Sequence, residues 1–357
     1  MCISHLCIAD NPVFDICKKQ VCDVIVDSGY TGTRVHVYTL NPQTFNQDKK
    51  LIQIYEKKVK KSFTNIAPQE TYQLFDELFS EFPKFRLDTY VYATESYRSL
   101  TYTKQKEFSR YIRRWFRTKP NLNLREARNL SGQEEAFFAW LSNYFMHYTQ
   151  LKDKSSIGII EIGGGSAQIA VNYQGISSWS EIHNINRLNG FDGKLIQLWV
   201  KSLHSFGREK MSRDLSCHAP VSIVNCVKQI SVKASIEENY DMNEIQNIIE
   251  QQPRYTTWYG LGLLSYVGNS PLYHFKGAYT LNQLLSSGQQ QACQIAPEIL
   301  NEKKDPFAQK TCFNSAYIYT LTHKFIGLPQ DTVIHYDTRE EGQGWPQGIM
   351  IKRYIAY

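Results

Sequence analysis

No apolar run in the 357 residues reaches the roughly 18 residues a membrane span needs, so no span is expected. No apolar signal segment follows Met1 either; an exported protein would have shed it. The Walker pattern, GxxxxGK followed by Ser or Thr, is missing. So is the strand-GxGxxG-helix layout of a Rossmann fingerprint, which removes two common ways of cradling a phosphate chain. CxxC spacing is lacking, which argues against zinc. No low-complexity tract is present. Charge of one sign is scarce, with 40 Lys and Arg against 34 Asp and Glu, a net +6. That balance calls for no nucleic-acid partner. Basic clusters do occur at Lys57, Lys58, Lys60, Lys61 and at Arg110, Arg113, Arg114, Arg117. Both alternate with apolar residues at helical spacing and are expected on solvated helix faces.

What remains is an ordinary globular composition, 42% hydrophobic and 21% charged, long enough for two domains. Eight cysteines fall into local pairs: Cys2 with Cys7, Cys17 with Cys22, Cys217 with Cys226, Cys293 with Cys312. An even count so arranged suggests disulfides and an oxidising compartment, with buried free thiols the alternative.

Two segments repeat one pattern. Val21–Leu40 and Ser156–Tyr173 each read as an apolar strand, a turn rich in Gly and Ser or Thr, and a second strand. Each first strand ends on a carboxylate, Asp27 and Glu161. Glycine-rich turns allow backbone N–H groups to converge on anionic oxygens, and a carboxylate there can hold a hydrated cation. Two such hairpins suit two related lobes that share one phosphate site. Between them the periodicity predicts helices over 51–82, 104–117 and 134–148, with strands near 87–93 and 124–130. Residues 175–333 read as helices and loops, and the C-terminal stretch as strand, acidic loop, turn and helix. The helix from Glu134 opens on two glutamates. Either could activate a water, or both could simply favour the positive helix N-terminus; spacing alone does not choose.

Five motifs in order resemble the apyrases, the nucleoside triphosphate diphosphohydrolases, and secreted bacterial members in particular. They are DSGYTGTR (Asp27–Arg34), ATESYR (Ala93–Arg98), SGQEEAFFAW (Ser131–Trp140), EIGGGSAQ (Glu161–Gln168) and GWPQG (Gly344–Gly348). The segment CFNSAYIYTL after Cys293 is similar to a sixth family region. The resemblance implies a two-lobed α/β fold of the actin, sugar-kinase and heat-shock-chaperone type, related to ribonuclease H. The active site would lie in the interlobe cleft. Lobe I would take 1–136 with 334–357, and lobe II 137–333.

The implied activity is hydrolysis of nucleoside tri- and diphosphates, dependent on Mg²⁺ or Ca²⁺, by a secreted or periplasmic monomer. The catalytic glutamate stands five residues before the motif's tryptophan, at Glu135. Ser166 and Gln168 would position the attacking water, and Asp27 and Glu161 would hold the metal through water. Phosphate would be bound by Ser28, Gly29, Tyr30, Thr31, Gly32, Thr33, Arg34 and Thr94, and by Gly163, Gly164, Gly165 and Ser166. The base would lie between aromatic rings, Tyr259 (or Trp258 beside it) and Tyr317.

Departures from the family are Tyr30 for a small hydroxyl residue, Glu95-Ser96 for Ala-Gly, Ala136 for a glycine, and Glu161 for aspartate. Tyr30 and Glu95 would narrow the site or repel phosphate. Exopolyphosphatases and guanosine-pentaphosphate phosphatases of the same superfold carry similar SGQEEA and GGGS segments and are the alternative enzymes. They usually have a glutamate where this chain has Gln168. A non-hydrolysing nucleotide-binding module is the third reading.

Overall fold

The computed structural model describes residues 11–40, 51–147, 157–173, 185–189, 195–217, 219–236, 242–295, 299, 308–337 and 344–355. The chain divides into two compact units, Met1–Ser131 with Arg353–Tyr357, and Gly132–Lys352.

The first unit is built on a five-stranded sheet in the order β3-β2-β1-β4-β5. Its strands are β1 (Val21–Gly29), β2 (Gly32–Leu40), β3 (Leu51–Val59), β4 (Leu87–Ala93) and β5 (Leu122–Asn129). β1 and β2 form the predicted hairpin, with Asp27 paired to Arg34 and Gly29 to Gly32; β4 and β5 run parallel to β1. Alternation decides the faces. Val24, Val26, Val35 and Val37 enter the apolar core, and Asp23, Asp27, His36 and Tyr38 take the other register. Helices α1 (Thr71–Leu78) and α2 (Tyr102–Arg117) supply the rings of that core. Phe75 meets Trp115 edge-on at 5.2 Å and Phe63 lies 4.7 Å from Phe108, geometry that adds to plain area burial. Arg110, Arg113, Arg114 and Arg117 lie on the exposed face of α2, as expected. The predicted helix from Leu51 is corrected. Leu51–Val59 is a strand, and the helix begins at Thr71, so Lys57 and Lys58 sit on a sheet strand.

The second unit carries a seven-stranded sheet in the order β11-β12-β10-β6-β7-β9-β8. The strands are β6 (Ile157–Ile162), β7 (Ala167–Asn172), β8 (Ile185–Asn189), β9 (Leu195–Leu203), β10 (Thr257–Gly262), β11 (Ala278–Thr280) and β12 (Val333–His335). β6 pairs antiparallel with β7, and β7 with β9; β10 is parallel to β6 and β12 to β10. The run β9-β7-β6-β10-β12 thus repeats the topology of β3-β2-β1-β4-β5. Four of these strands fall in the stretch read from sequence as helices and loops. The unit's helices include α3 (Gly132–His147), α4 (Ile223–Ile236), α5 (Ala308–Tyr319) and α6 (Trp345–Ile355). The C-terminal segment expected wholly in the first lobe is split. β12 and α6 through Lys352 fall in the second unit and only Arg353–Tyr357 in the first. There the Tyr354 hydroxyl donates to the Asp23 carboxylate, and the Arg353 guanidinium stacks 4.1 Å from the Tyr90 ring centre.

Cys17–Cys22 and Cys293–Cys312 are disulfides, as the spacing suggested. Cys217 and Cys226 are not: both are buried thiols, hydrogen-bonded to each other through sulfur. That pair corrects the expectation of a third bond; Cys2 and Cys7 lie outside the described residues.

Candidate active site

The first hairpin is a braced turn. Ser28 and Thr33 are fully buried, their hydroxyls 3.1 Å apart, and the Thr33 hydroxyl also donates to the Lys61 carbonyl at 2.8 Å. They therefore hold the turn from inside, which corrects their expected role as hydroxyls gripping phosphate. Gly32 is needed for close approach, since a Cβ there would lie 2.6 Å from the Val59 carbonyl oxygen. The part of the motif that reaches the surface is Gly29, Tyr30, Thr31 and Arg34.

The second motif locks the first. The Thr94 amide (3.1 Å) and the Ser96 hydroxyl (2.8 Å) both donate to the Ser28 carbonyl. Glu95, expected to repel phosphate, is buried and paired with Arg98 at 3.1 Å, and Arg98 also donates to the Leu130 carbonyl. Its charge is thus matched within its own motif.

Asp27 is buried. Its Oδ2 lies 3.7 Å from an Arg34 guanidinium nitrogen, while Oδ1 has no hydrogen-bond partner. Burial pushes its carboxyl pKa up, against the pull of Arg34. A buried carboxylate oxygen without a donor is costly, and a hydrated cation would satisfy it. Among the described residues no three His, Cys, Asp or Glu side chains form a metal cage. A hydrated Mg²⁺ needs none, being bound through one or two carboxylates plus substrate phosphate. Asp27 therefore fits the expected cation, and Glu161 stands at the matching position of the other hairpin, across from Gln168 in the ladder.

In the second unit the turn Gly163–Ser166 closes on a Gly163 amide to Ser166 carbonyl bond of 2.9 Å. It is propped from behind: the amides of Arg208 and Glu209 donate to the carbonyls of Gly163 and Gly164 at 2.8 and 2.9 Å. Gly207 packs so close that a Cβ would lie 2.1 Å from the Gly165 carbonyl carbon. The Arg208 guanidinium is buried and donates to the Asn314 side-chain oxygen at 3.1 Å. Against this turn stand the three predicted catalytic side chains. Gln168 Nε2 donates to Ser166 Oγ at 2.8 Å and to Glu135 Oε2 at 3.3 Å. Glu135 is buried, whereas Glu134 beside it is partly exposed. The fifth motif packs against the helix bearing that glutamate. The Ser142 hydroxyl bonds Gln347 at 2.6 Å, and a Cβ on Gly348 would lie 1.9 Å from the Phe138 carbonyl oxygen.

Of the two tyrosines expected to hold the base, Tyr317 is corrected, whereas Tyr259 is partly exposed. Tyr317 is 1% exposed, stacked on Phe313, with its hydroxyl donated to the Phe206 carbonyl; a fully buried ring has no face for a base. Tyr259 stacks on His147 at 4.3 Å with His335 near its ring at 5.8 Å. His147 lies twelve residues along α3 from Glu135, about 18 Å at the helical rise. Sequence reasoning missed Ser202 and Arg208, which touch the site from β9 and from the segment behind the glycine turn. Neither belongs to a motif, and a lone serine or arginine leaves no signal.

A family profile, the GDA1/CD39 (nucleoside phosphatase) family, matches residues 17–259. The chain belongs to that family. Among curated relatives it is similar to human ectonucleoside triphosphate diphosphohydrolase 6, 29% identical over 162 residues, 41% of this chain and 32% of that protein. It is also similar to a probable apyrase 1 of rice, 28% identical over 159 residues, with the same coverage. The chain thus aligns with about a third of each relative's length. Among solved structures, nucleoside triphosphate hydrolases from Neospora caninum align with a TM-score of 0.59 at 12% identity, over 94% of this chain and 93% of that one. A PPX-GPPA enzyme of Aquifex aeolicus aligns with the same score at 15% identity, over 93% and 99%. These likenesses establish the two-domain actin-like α/β fold.

Proposed function

We propose that this family member hydrolyses the terminal phosphoanhydride bond of nucleoside tri- and diphosphates, with Glu135 as general base and a divalent cation as cofactor. The observation that carries the reading is the buried cluster of Glu135, Gln168 and Ser166 beside the glycine turn. The backbone amides of the two hairpins, with Arg34, bind substrate phosphate oxygens. Ser166 and Gln168 orient a water, and Glu135 takes its proton as the water oxygen bonds to the terminal phosphorus. The bond from phosphorus to the bridging oxygen breaks in line, giving the shorter nucleotide and orthophosphate, with no covalent enzyme intermediate. Mg²⁺ or Ca²⁺, held through water by Asp27 and Glu161, would supply neutralisation of phosphate charge when bound. Two disulfides fit an oxidising, extracellular or periplasmic setting. Among the described residues no helix is long and apolar enough to cross a membrane.

The test is orthophosphate release from ATP, ADP, other nucleotides and inorganic polyphosphate, each with Mg²⁺, Ca²⁺ or EDTA. Nucleotide cleavage that EDTA abolishes, with polyphosphate untouched, is the expected result. Preferential cleavage of polyphosphate would overturn it in favour of the polyphosphatase chemistry, and release from no substrate would favour a binding module.

A further inference from the structure

Ser202 lies on β9 directly across from Gln168 in the ladder with β7, and it is buried. Its hydroxyl touches both elements that carry the proposed catalytic groups. Ser202 Oγ is 3.5 Å from Gln168 Nε2. The same oxygen occupies the space beside Gly132, the first residue of α3, where a Cβ would come within 2.0 Å of it. Glu135 follows three residues later on that helix.

The Gln168 amide nitrogen carries two hydrogens and meets three acceptors: Ser166 Oγ at 2.8 Å, Glu135 Oε2 at 3.3 Å and Ser202 Oγ at 3.5 Å. It cannot serve all three fully. The closest takes one hydrogen, and the second is divided between Glu135 and Ser202. With Nε2 set among these oxygens, the orientation of the amide, and with it the direction of Oε1, is fixed.

We propose that Ser202 is a positioning residue for hydrolysis, fixing the orientation of the Gln168 amide through its hydroxyl while its side chain seats the start of α3. The proposal rests on the assignment of Glu135 and Gln168 made above. Removing the hydroxyl leaves the amide free to tilt toward Glu135 and misplaces the water. Ser202 lies behind Gln168 rather than on the phosphate turn, so the loss falls on kcat and leaves KM alone. Misplacing a reacting group by about 1 Å can cost up to about a hundredfold in rate. A partial tilt is expected to cost about tenfold.

The experiment compares Ser202→Ala, Ser202→Cys, Gln168→Ala, the Ser202→Ala/Gln168→Ala double variant and Glu135→Ala in Mg²⁺-dependent ATP hydrolysis, with thermal melts of each. Ser202→Cys fills the notch beside Gly132 without a strong hydrogen-bond acceptor, so it carries the test if Ser202→Ala fails to fold. Both single serine variants are expected to lose about tenfold in kcat, with KM within about twofold of wild type. On the Gln168→Ala background the further loss should be under about twofold, because residues that act through one another are not additive. Full activity in Ser202→Cys would reduce the role to packing and overturn the proposal. So would losses that multiply in the double variant. An active Glu135→Ala would instead strike the base assignment itself, so the two failures are distinguishable.

Discussion

Two neighbouring glutamates at the start of α3 face different surroundings. Glu135 is buried against Gln168, and Glu134 is partly exposed. Glu135→Ala is therefore expected to lower kcat by roughly 10²–10⁴, the scale of a positioned general base. Glu134→Ala should change it by less than about threefold, since a carboxylate in the first turn favours the helix terminus electrostatically whether or not it takes part in the reaction. Steady-state hydrolysis by the two variants checks this, and equal losses would remove Glu135 from its role. The residues around the two glycine turns could be singled out because the chemistry proposed for them demands motifs: carboxylate at a strand end, glycine in the turn, glutamate five before tryptophan. Tyr317 was not legible, because an aromatic ring that fills a core and one that stacks on a base leave the same letter in the sequence. Ser28 and Thr33 show a related limit. Motif membership revealed their place, but only the structure shows their hydroxyls turned inward.

At the scale of elements, the hairpins and α3 follow from alternation and periodicity, while β3 does not. Its residues, LIQIYEKKV, place apolar groups at spacings that suit either period, and pairing with β2 decided for strand. Strands β8, β10 and β11 escaped for a similar reason, being short segments defined by the sheet they join. The glycine of the fifth motif acquires a physical reason at this scale, because α6 presses on α3 at Gly348. Gly348→Ala is expected to destabilise by about 1–3 kcal/mol, the cost of overpacking against backbone, seen as a lower urea midpoint. Unchanged stability would mean that the helices part freely. The Cys293–Cys312 bridge spans 19 residues of sequence, and a loop of that size corresponds to about 3 kcal/mol in the chain-entropy model. A Cys293→Ser/Cys312→Ser variant should show that loss in equilibrium unfolding, and a denatured, unreduced thiol count should find Cys217 and Cys226 reactive.

At the scale of the molecule, both units repeat one five-strand topology, and each presents a strand-end carboxylate beside a glycine turn. The duplication was visible in sequence only as two similar hairpins, because the strands that complete each sheet come from distant segments. Its functional consequence is testable through the stability of the whole chain. A ligand that binds only the folded protein stabilises it by about 2.7 kcal/mol at a hundred times its Kd. For units of this size each kcal/mol raises the melting midpoint by about 2–4 °C. A non-hydrolysable triphosphate analogue with Mg²⁺ is therefore expected to raise the midpoint by about 5–10 °C. Buried Asp27, with one oxygen lacking a donor, makes the shift depend on the cation, so EDTA should remove most of it. Asp27→Asn should blunt the metal-dependent part while leaving the ligand-free melt similar or higher, since it relieves a buried charge. A shift equal with and without metal would refute cation binding at Asp27 without touching the assignment of Glu135.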